Sequence, residues 1–260
     1  MREILYGRHA VAESLRAGRR KPYKLTLAEG VQETDAVGQV VFLARQAGVL
    51  VSYTDRRNLD HIGDVNHQGL MLETSEYPYC ALDDILDTAP SRDEPALFLL
   101  LDLLKDPQNV GGLLRTAEAV GVHGVVVQQR RAVGITPAVV HASAGAVEHL
   151  RVAQVTNLVD AIGRLKTQGV WVAGLESARG AQQYDQADLS GPLALTVGSE
   201  GEGLRRLVRE RCDFLVCIPM RGQVTSLNVA VAGSIALYEA WRQRVLPPVG
   251  LAGRMGGGRL

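Results

Sequence analysis

Ser226-Leu227-Asn228-Val229-Ala230-Val231-Ala232 places polar residues at the head of a long apolar run, where a strand gives way to a helix. Gly198-Ser199-Glu200-Gly201-Glu202-Gly203 and Asp106-Pro107-Gln108-Asn109-Val110-Gly111 have the same character. Ligand sites of open α/β sheets gather at such strand ends. Any one of these stretches is ordinary by itself, because strand-to-helix turns favour Gly, Ser, Asn and Asp. Three of them in one half of a chain predict one composite site.

The surrounding pattern fits such a sheet. From Ala96 onward, short apolar runs at Ala96–Leu101, Gly124–Val127, Val152–Val155, Val170–Leu175, Leu193–Val197 and Phe214–Ile218 alternate with helical segments near 109–120, 137–146, 157–168, 203–211 and 226–244. That alternation predicts an α/β fold with a mostly parallel sheet over 96–244, covered on both faces. Upstream, a helix is predicted over 7–17 and strands at Lys24–Ala28, Val49–Tyr53 and Leu70–Thr74. A second helix is predicted over Asp35–Ala47, with an apolar stripe at Val37, Val40, Val41 and Ala44. Residues 1–75 therefore read as a small α/β domain, near the lower size at which domains fold alone. The acidic segment 76–95 carries Pro78, Pro90 and Pro95 and reads as a linker with one helical turn at Leu82–Leu86. Residues 245–260, with Pro247-Pro248 and Gly256-Gly257-Gly258, read as a mobile tail.

Composition narrows the class. The 260 residues are 46% apolar, enough for a real core, and no stretch reaches the length of a membrane span. The N-terminus lacks the apolar run of a signal peptide. Cys80, Cys212 and Cys217 are odd in number and not at zinc spacing, which points to a reduced, cytoplasmic protein with no metal site. Formal net charge is zero, yet residues 1–24 hold seven basic residues against Glu3 and Glu13. Such a cluster can bind phosphate while the whole chain stays neutral. It can equally be a solvated surface.

Each polar residue of the three stretches admits two readings. Gly198–Gly203 lacks the spacing of a dinucleotide fingerprint and the Lys of a P-loop. Glu200 and Glu202 would repel a phosphate, which disfavours a dinucleotide-dependent enzyme. Glu202 reads as a helix-end carboxylate at the positive end of the dipole. Asn109 is either a helix cap or a site residue. Arg115, six residues later and expected near the same side of the helix, lies among Leu113, Leu114 and Ala117. It must find a carboxylate or a phosphate. Ser226 could cap the last helix, whereas Asn228 is a poor helix former in so apolar a run. That helix is apolar nearly all round, which predicts burial against a second subunit, with Leu237 and Trp241 at the interface.

The three stretches together resemble the three motifs of the SpoU (TrmH) family of RNA ribose 2′-O-methyltransferases, within the SPOUT superfamily. Asn109 and Arg115 match the first motif, Gly198–Gly203 the second, and Ile218-Pro219-Met220 through Ser226-Leu227-Asn228 the third. Leu5-Tyr6-Gly7-Arg8-His9-Ala10-Val11 and the His67-Gln68-Gly69 turn resemble the substrate-binding domain of the RlmB type, itself similar to RNA-binding ribosomal proteins. The resemblance implies a trefoil knot, a homodimer and S-adenosylmethionine held by Gly198, Ile218 and Leu227. It also implies 2′-O-methylation of a guanosine in large-subunit (23S) ribosomal RNA. In that reading Arg115 binds the adjacent phosphate and stabilises the developing alkoxide, while Asn109, Glu200, Ser226 and Asn228 orient Arg115 and the substrate. Arg8, His9, Arg19 and Arg20 are the candidate RNA contacts. Two alternatives stay open: a transfer RNA ribose methyltransferase, and a non-catalytic RNA-binding factor of ribosome assembly.

Overall fold

The computed structural model of the chain describes residues 2–32, 34–61, 63, 65–87 and 94–245. Most of the segment read as a tail, from 246 onward, lies outside the described residues, as do 88–93 of the proposed linker.

The N-terminal unit runs β1 (Arg2–Tyr6), α1 (Arg8–Ala17), β2 (Pro22–Ala28), α2 (Asp35–Gln46), β3 (Leu50–Thr54), α3 (Arg56–Asp60) and β4 (Leu70–Ser75). Its sheet has the order β1-β4-β2-β3. β4 is antiparallel to both neighbours, and β3 is parallel to β2. The stripe on α2 packs as its period requires, with Val37, Val40 and Ala44 buried. Thr34 starts that helix by accepting from the Val37 N–H at 3.4 Å. β1 has no counterpart in the sequence reading. It is an edge strand carrying Arg2 and Glu3, so it lacks the apolar run that marks a buried strand.

The second unit runs α4 (Leu82–Leu86), β5 (Leu97–Asp102), α5 (Pro107–Ala119), β6 (Gly124–Gln128), α6 (Pro137–Ala142), a 3-10 turn at Ala146–His149, β7 (Val152–Val155), α7 (Leu158–Thr167), β8 (Trp171–Leu175), β9 (Gln182–Gln183), β10 (Leu193–Gly198), α8 (Arg206–Arg211), β11 (Phe214–Cys217) and α9 (Val229–Val245). Its sheet has the order β7-β6-β5-β10-β8-β11-β9, and every pair is parallel. Every residue of β5, β6 and β10 is buried, which accounts for their unbroken apolar runs. β10 lies between β5 and β8, so the glycine turn after β10 sits beside the loop after β5.

Three expectations need correction. Over 77–86 the segment read as a linker is packed structure. Tyr77, Leu82 and Ile85 are buried, and the Cys80 N–H donates to Val152 O at 3.0 Å beside β7. A few large side chains, well spaced, anchor it despite its acidic composition. Arg20 is 3% exposed, and its Nε donates to both oxygens of the fully buried Glu148, at 2.9 and 3.0 Å. Arg19 donates to the carbonyl of Leu150 and to Tyr77 Oη. Both arginines thus fasten the N-terminal unit to the 3-10 turn of the second unit, and no phosphate can reach Arg20. Third, Leu237 is fully buried within the chain itself, on the face of α9 turned toward the core, and so is not available to a second subunit.

Candidate active site

The site is built at the carboxyl ends of β5, β10 and β11. Asp106 caps α5, accepting from the N–H groups of Gln108 and Asn109, each at 3.2 Å. The Asn109 side chain is therefore free of capping. It is buried, donates from Nδ2 to Glu200 Oε1, and accepts at Oδ1 from Asn228 Nδ2 at 2.8 Å. Asn228 Nδ2 also lies 3.4 Å from Glu200 Oε1. Asn228 Oδ1 accepts from the N–H groups of Ala230 and Val231, at 2.9 and 3.3 Å, and so caps α9. One side chain from each of the three stretches meets in a single cluster. Ser226 does not cap that helix. It is exposed, three residues before α9 begins.

The glycine turn is closed by its backbone. Ser199 and Gly203 exchange N–H···O bonds at 3.1 and 3.0 Å. A Cβ on Gly198 would sit 2.2 Å from the Gly203 carbonyl carbon, so no side chain fits there. Gly201 turns the chain in the left-handed region, at φ +77°. α8 starts only at Arg206, so Glu202 is an exposed turn residue and not a helix-end carboxylate.

A cleft of about 450 Å³ opens beside this turn. Gly198, Glu200, Ile218, Ser226, Leu227 and Asn228 all line it, with Glu176, Cys217 and the apolar Leu175, Val197 and Val229. The volume falls in the range of small-molecule sites, and the lining mixes apolar walls with a few polar groups. Its only charged side chains are the carboxylates of Glu176 and Glu200. A phosphate-bearing cofactor would meet repulsion there. A cationic nucleoside held by backbone groups fits, as S-adenosylmethionine requires.

Arg115 is not part of the cluster. Six residues on an α-helix rotate through about 240° beyond a full turn, which aims Arg115 away from Asn109. It is exposed, with no hydrogen-bond or ion-pair partner among the described residues. Arg8 is half-buried and His9 is exposed at the start of α1. The sequence reading also missed Asp102, which is 1% exposed at the end of β5. It accepts from Arg205 N–H and Nε at 2.9 and 2.7 Å, and Arg205 Nη2 donates to Gln128 at 2.9 Å. This bridge pins the segment after the glycine turn to β5 and β6. An acid closing an apolar strand was its only signal in the sequence. No group of three or more His, Cys, Asp or Glu residues sits together as a metal site among the described residues. No described helix is long and apolar enough to cross a membrane.

Comparison with known proteins agrees with this geometry. Residues 96–238 match the SpoU rRNA Methylase family, and residues 4–80 match the RNA 2′-O ribose methyltransferase substrate binding family. YacO of Bacillus subtilis, described as a TrmH family tRNA/rRNA methyltransferase, is 44% identical over 248 residues, covering 95% of this chain and 98% of its own. The AdoMet-bound rRNA methyltransferase of Sinorhizobium meliloti superposes with a TM-score of 0.76 at 28% identity, over 94% of this chain and 88% of its own. A structure described for 2′-OH methylation of C/U34 on tRNA superposes with a TM-score of 0.52 at 31% identity, over 57% of this chain and 96% of its own. By its sheet, its three-motif cluster and a family match over more than half its length, the chain belongs to the SpoU rRNA methylase family.

Proposed function

We propose that this chain methylates a ribose 2′-hydroxyl of RNA with S-adenosylmethionine, and that the target is a guanosine of large-subunit (23S) ribosomal RNA in the cytoplasm. The observation that carries the chemistry is the Asn109–Glu200–Asn228 cluster at the edge of a cleft without cations. When bound, the cofactor supplies an electrophilic methyl group on its sulfonium. The residues of the chain must hold the hydroxyl in line and stabilise an oxygen losing its proton. Gly198, Ile218 and Leu227 hold the cofactor. Glu200, fixed by Asn109 and Asn228, orients the substrate together with Ser226. Arg115 contacts the adjacent phosphate and stabilises the developing negative charge. It does not remove the proton, because a guanidinium stays protonated in proteins.

The orientation of Arg115 supports a homodimer. α5 and α9 pack side by side, with Thr116 Oγ1 2.7 Å from Ser234 Oγ. The outer face of α9 leaves Val231, Tyr238 and Trp241 exposed. A second copy on this two-helix surface brings the partner's Arg115 toward the cleft. Two observations favour ribosomal over transfer RNA. The ribosomal RNA enzyme from Sinorhizobium meliloti matches both units, whereas the tRNA-modifying structure covers little more than half the chain. The N-terminal unit is also fastened to the methylase unit by Arg20 and Glu148, which fixes a reading head relative to the site.

Mapping of 2′-O-methylated riboses in RNA from cells with and without this protein tests the reading. Loss of one methylguanosine in 23S RNA is the expected result. Loss confined to transfer RNA moves the target. No loss in either RNA overturns the proposal.

A further inference from the structure

About half of the cations on the methylase unit are tied down. Arg164 pairs with Asp83, Lys166 with Asp213, Arg205 with Asp102, Arg206 with Glu210, Arg209 with Glu176 and Arg242 with Glu239. Among the described residues, Lys105, Arg130 and Arg131 are not tied down, and neither are Arg115, Arg179, Arg211 and Arg221, but Lys105, Arg130 and Arg131 sit together on two adjoining loops. All three are exposed, and none has a hydrogen-bond or ion-pair partner among the described residues. Lys105 lies in the loop after β5, and the two arginines lie in the loop after β6. The Val133 N–H donates to Leu104 O at 2.9 Å and ties the two loops together. Two carboxylates flank Lys105, and both are engaged: Asp102 by Arg205 and Asp106 by the start of α5.

The same two loops carry two non-glycine residues in the left-handed region, Leu103 at φ +59° and Arg131 at φ +64°. Such conformations cost energy and persist where surrounding structure holds them, often at functional sites. The loops also link the site to the segment that joins the two units. At one end, Asp106 leads into Asn109 and the cluster. At the other, the Ile135 N–H donates at 2.6 Å to Tyr79 Oη, in that joining segment.

We propose that Lys105, Arg130 and Arg131 form a phosphate track that guides the RNA backbone from the N-terminal unit to the Asn109–Glu200–Asn228 cluster. The proposal rests on the reading of the chain as an RNA methyltransferase. The track supplies counter-charge without base contacts, so it positions the strand and does not choose its sequence. It also explains how a chain of zero formal net charge can grip a polyanion.

The test is the salt dependence of RNA binding by the full-length protein, with single-stranded poly(U) as the probe. The slope of log K against log salt changes by about 0.7 for each phosphate contact on single strands. The triple variant Lys105→Ala, Arg130→Ala, Arg131→Ala should give a slope shallower by about 2. A charge-matched control, Arg164→Ala, Arg206→Ala, Arg211→Ala, should keep the wild-type slope. S-adenosylhomocysteine affinity should be unchanged in both, which reports an intact cleft. Equal slopes for the triple variant and the control overturn the track. A wild-type protein that fails to bind RNA at all overturns the RNA reading itself, and the two failures are told apart by that measurement.

Discussion

Asn228 Nδ2 donates to Asn109 Oδ1 at 2.8 Å, joining the start of α9 to the start of α5 across 119 residues of chain. The same Asn228 caps α9 through its oxygen. One side chain therefore serves stability with one atom and the site with the other. The two roles can be separated by substitution. Asn228→Ala should lose the cap, about 1 kcal/mol in thermal denaturation, and most methyl transfer. Asn228→Asp should keep the cap but place a carboxylate against Glu200. It should denature near the wild-type temperature yet transfer methyl at a small fraction of the wild-type rate. An active Asn228→Asp would show that the cluster does not matter to catalysis.

Arg115→Ala should leave S-adenosylhomocysteine binding intact and raise the barrier to methyl transfer by about 3 kcal/mol, the loss typical of a preorganised donor. Its outward aim predicts more. Mixing Arg115→Ala subunits with Asn109→Ala subunits should restore activity, because the mixed dimer holds one site with both residues intact. If Arg115 serves its own subunit's cleft, both sites of the mixed dimer are defective and mixing restores nothing.

Trp241→Glu should give a monomer that still folds, since Trp241 is 40% exposed on the outer face of α9. Leu237→Glu should unfold the chain, because Leu237 is fully buried in its own subunit. Light scattering and circular dichroism separate the two outcomes. A Trp241→Glu protein that remains dimeric would move the interface elsewhere.

Arg20→Ala should destabilise the protein by roughly 3 to 5 kcal/mol, since it leaves the buried Glu148 without its arginine, and Glu148→Ala should cost less, since Arg20 keeps its pair with Glu3. The double variant Arg20→Met, Glu148→Leu should recover much of that loss, as apolar replacement of buried pairs often does. Denaturant titrations of the three variants give the comparison. Single variants as stable as wild type would mean that the pair does not fasten the two units.

What was legible in the sequence follows from which interactions are local. β5, β6 and β10 are buried on both faces, so their apolar runs announce a parallel sheet. The stripe on α2 reports its own burial in the same way. Asn109 and Asn228 stood out as polar residues in apolar surroundings, but that the two would touch was not in either segment's pattern. Arg20 and Arg115 show the limit from opposite sides. Both are arginines in suggestive contexts, yet one is sealed against Glu148 and the other faces out, because the partner of a long cationic side chain is chosen by tertiary structure. Tyr77 and Ile85 were missed because composition averages over a segment, while two large buried side chains suffice to dock it. The Asp102–Arg205 bridge joins residues 103 positions apart, beyond any window of periodicity.

The cysteines offer a test of the cleft that does not depend on RNA. Cys217 lines the cleft and is half-exposed. Burial pushes the Cys212 thiol up to about 12, and burial likewise raises Cys80. Only the thiolate reacts, so at pH 8 about one Cys212 side chain in 10⁴ is reactive at any moment. Iodoacetamide at that pH should therefore modify Cys217 first and leave Cys212 intact, as peptide mass mapping would show. Raising the pH toward 12 should bring Cys212 into reaction, because its ionised fraction grows tenfold with each pH unit below that value, provided the fold survives. S-adenosylhomocysteine should slow the modification of Cys217 in proportion to occupancy of the cleft, and NAD should not, since Glu200, whose partners Asn109 and Asn228 are neutral, repels its phosphates. Cys217 reacting at one rate with and without S-adenosylhomocysteine would place the cofactor outside this cleft. Protection by NAD as strong as that by S-adenosylhomocysteine would break the electrostatic argument, because nothing in the lining could then account for tolerance of a pyrophosphate.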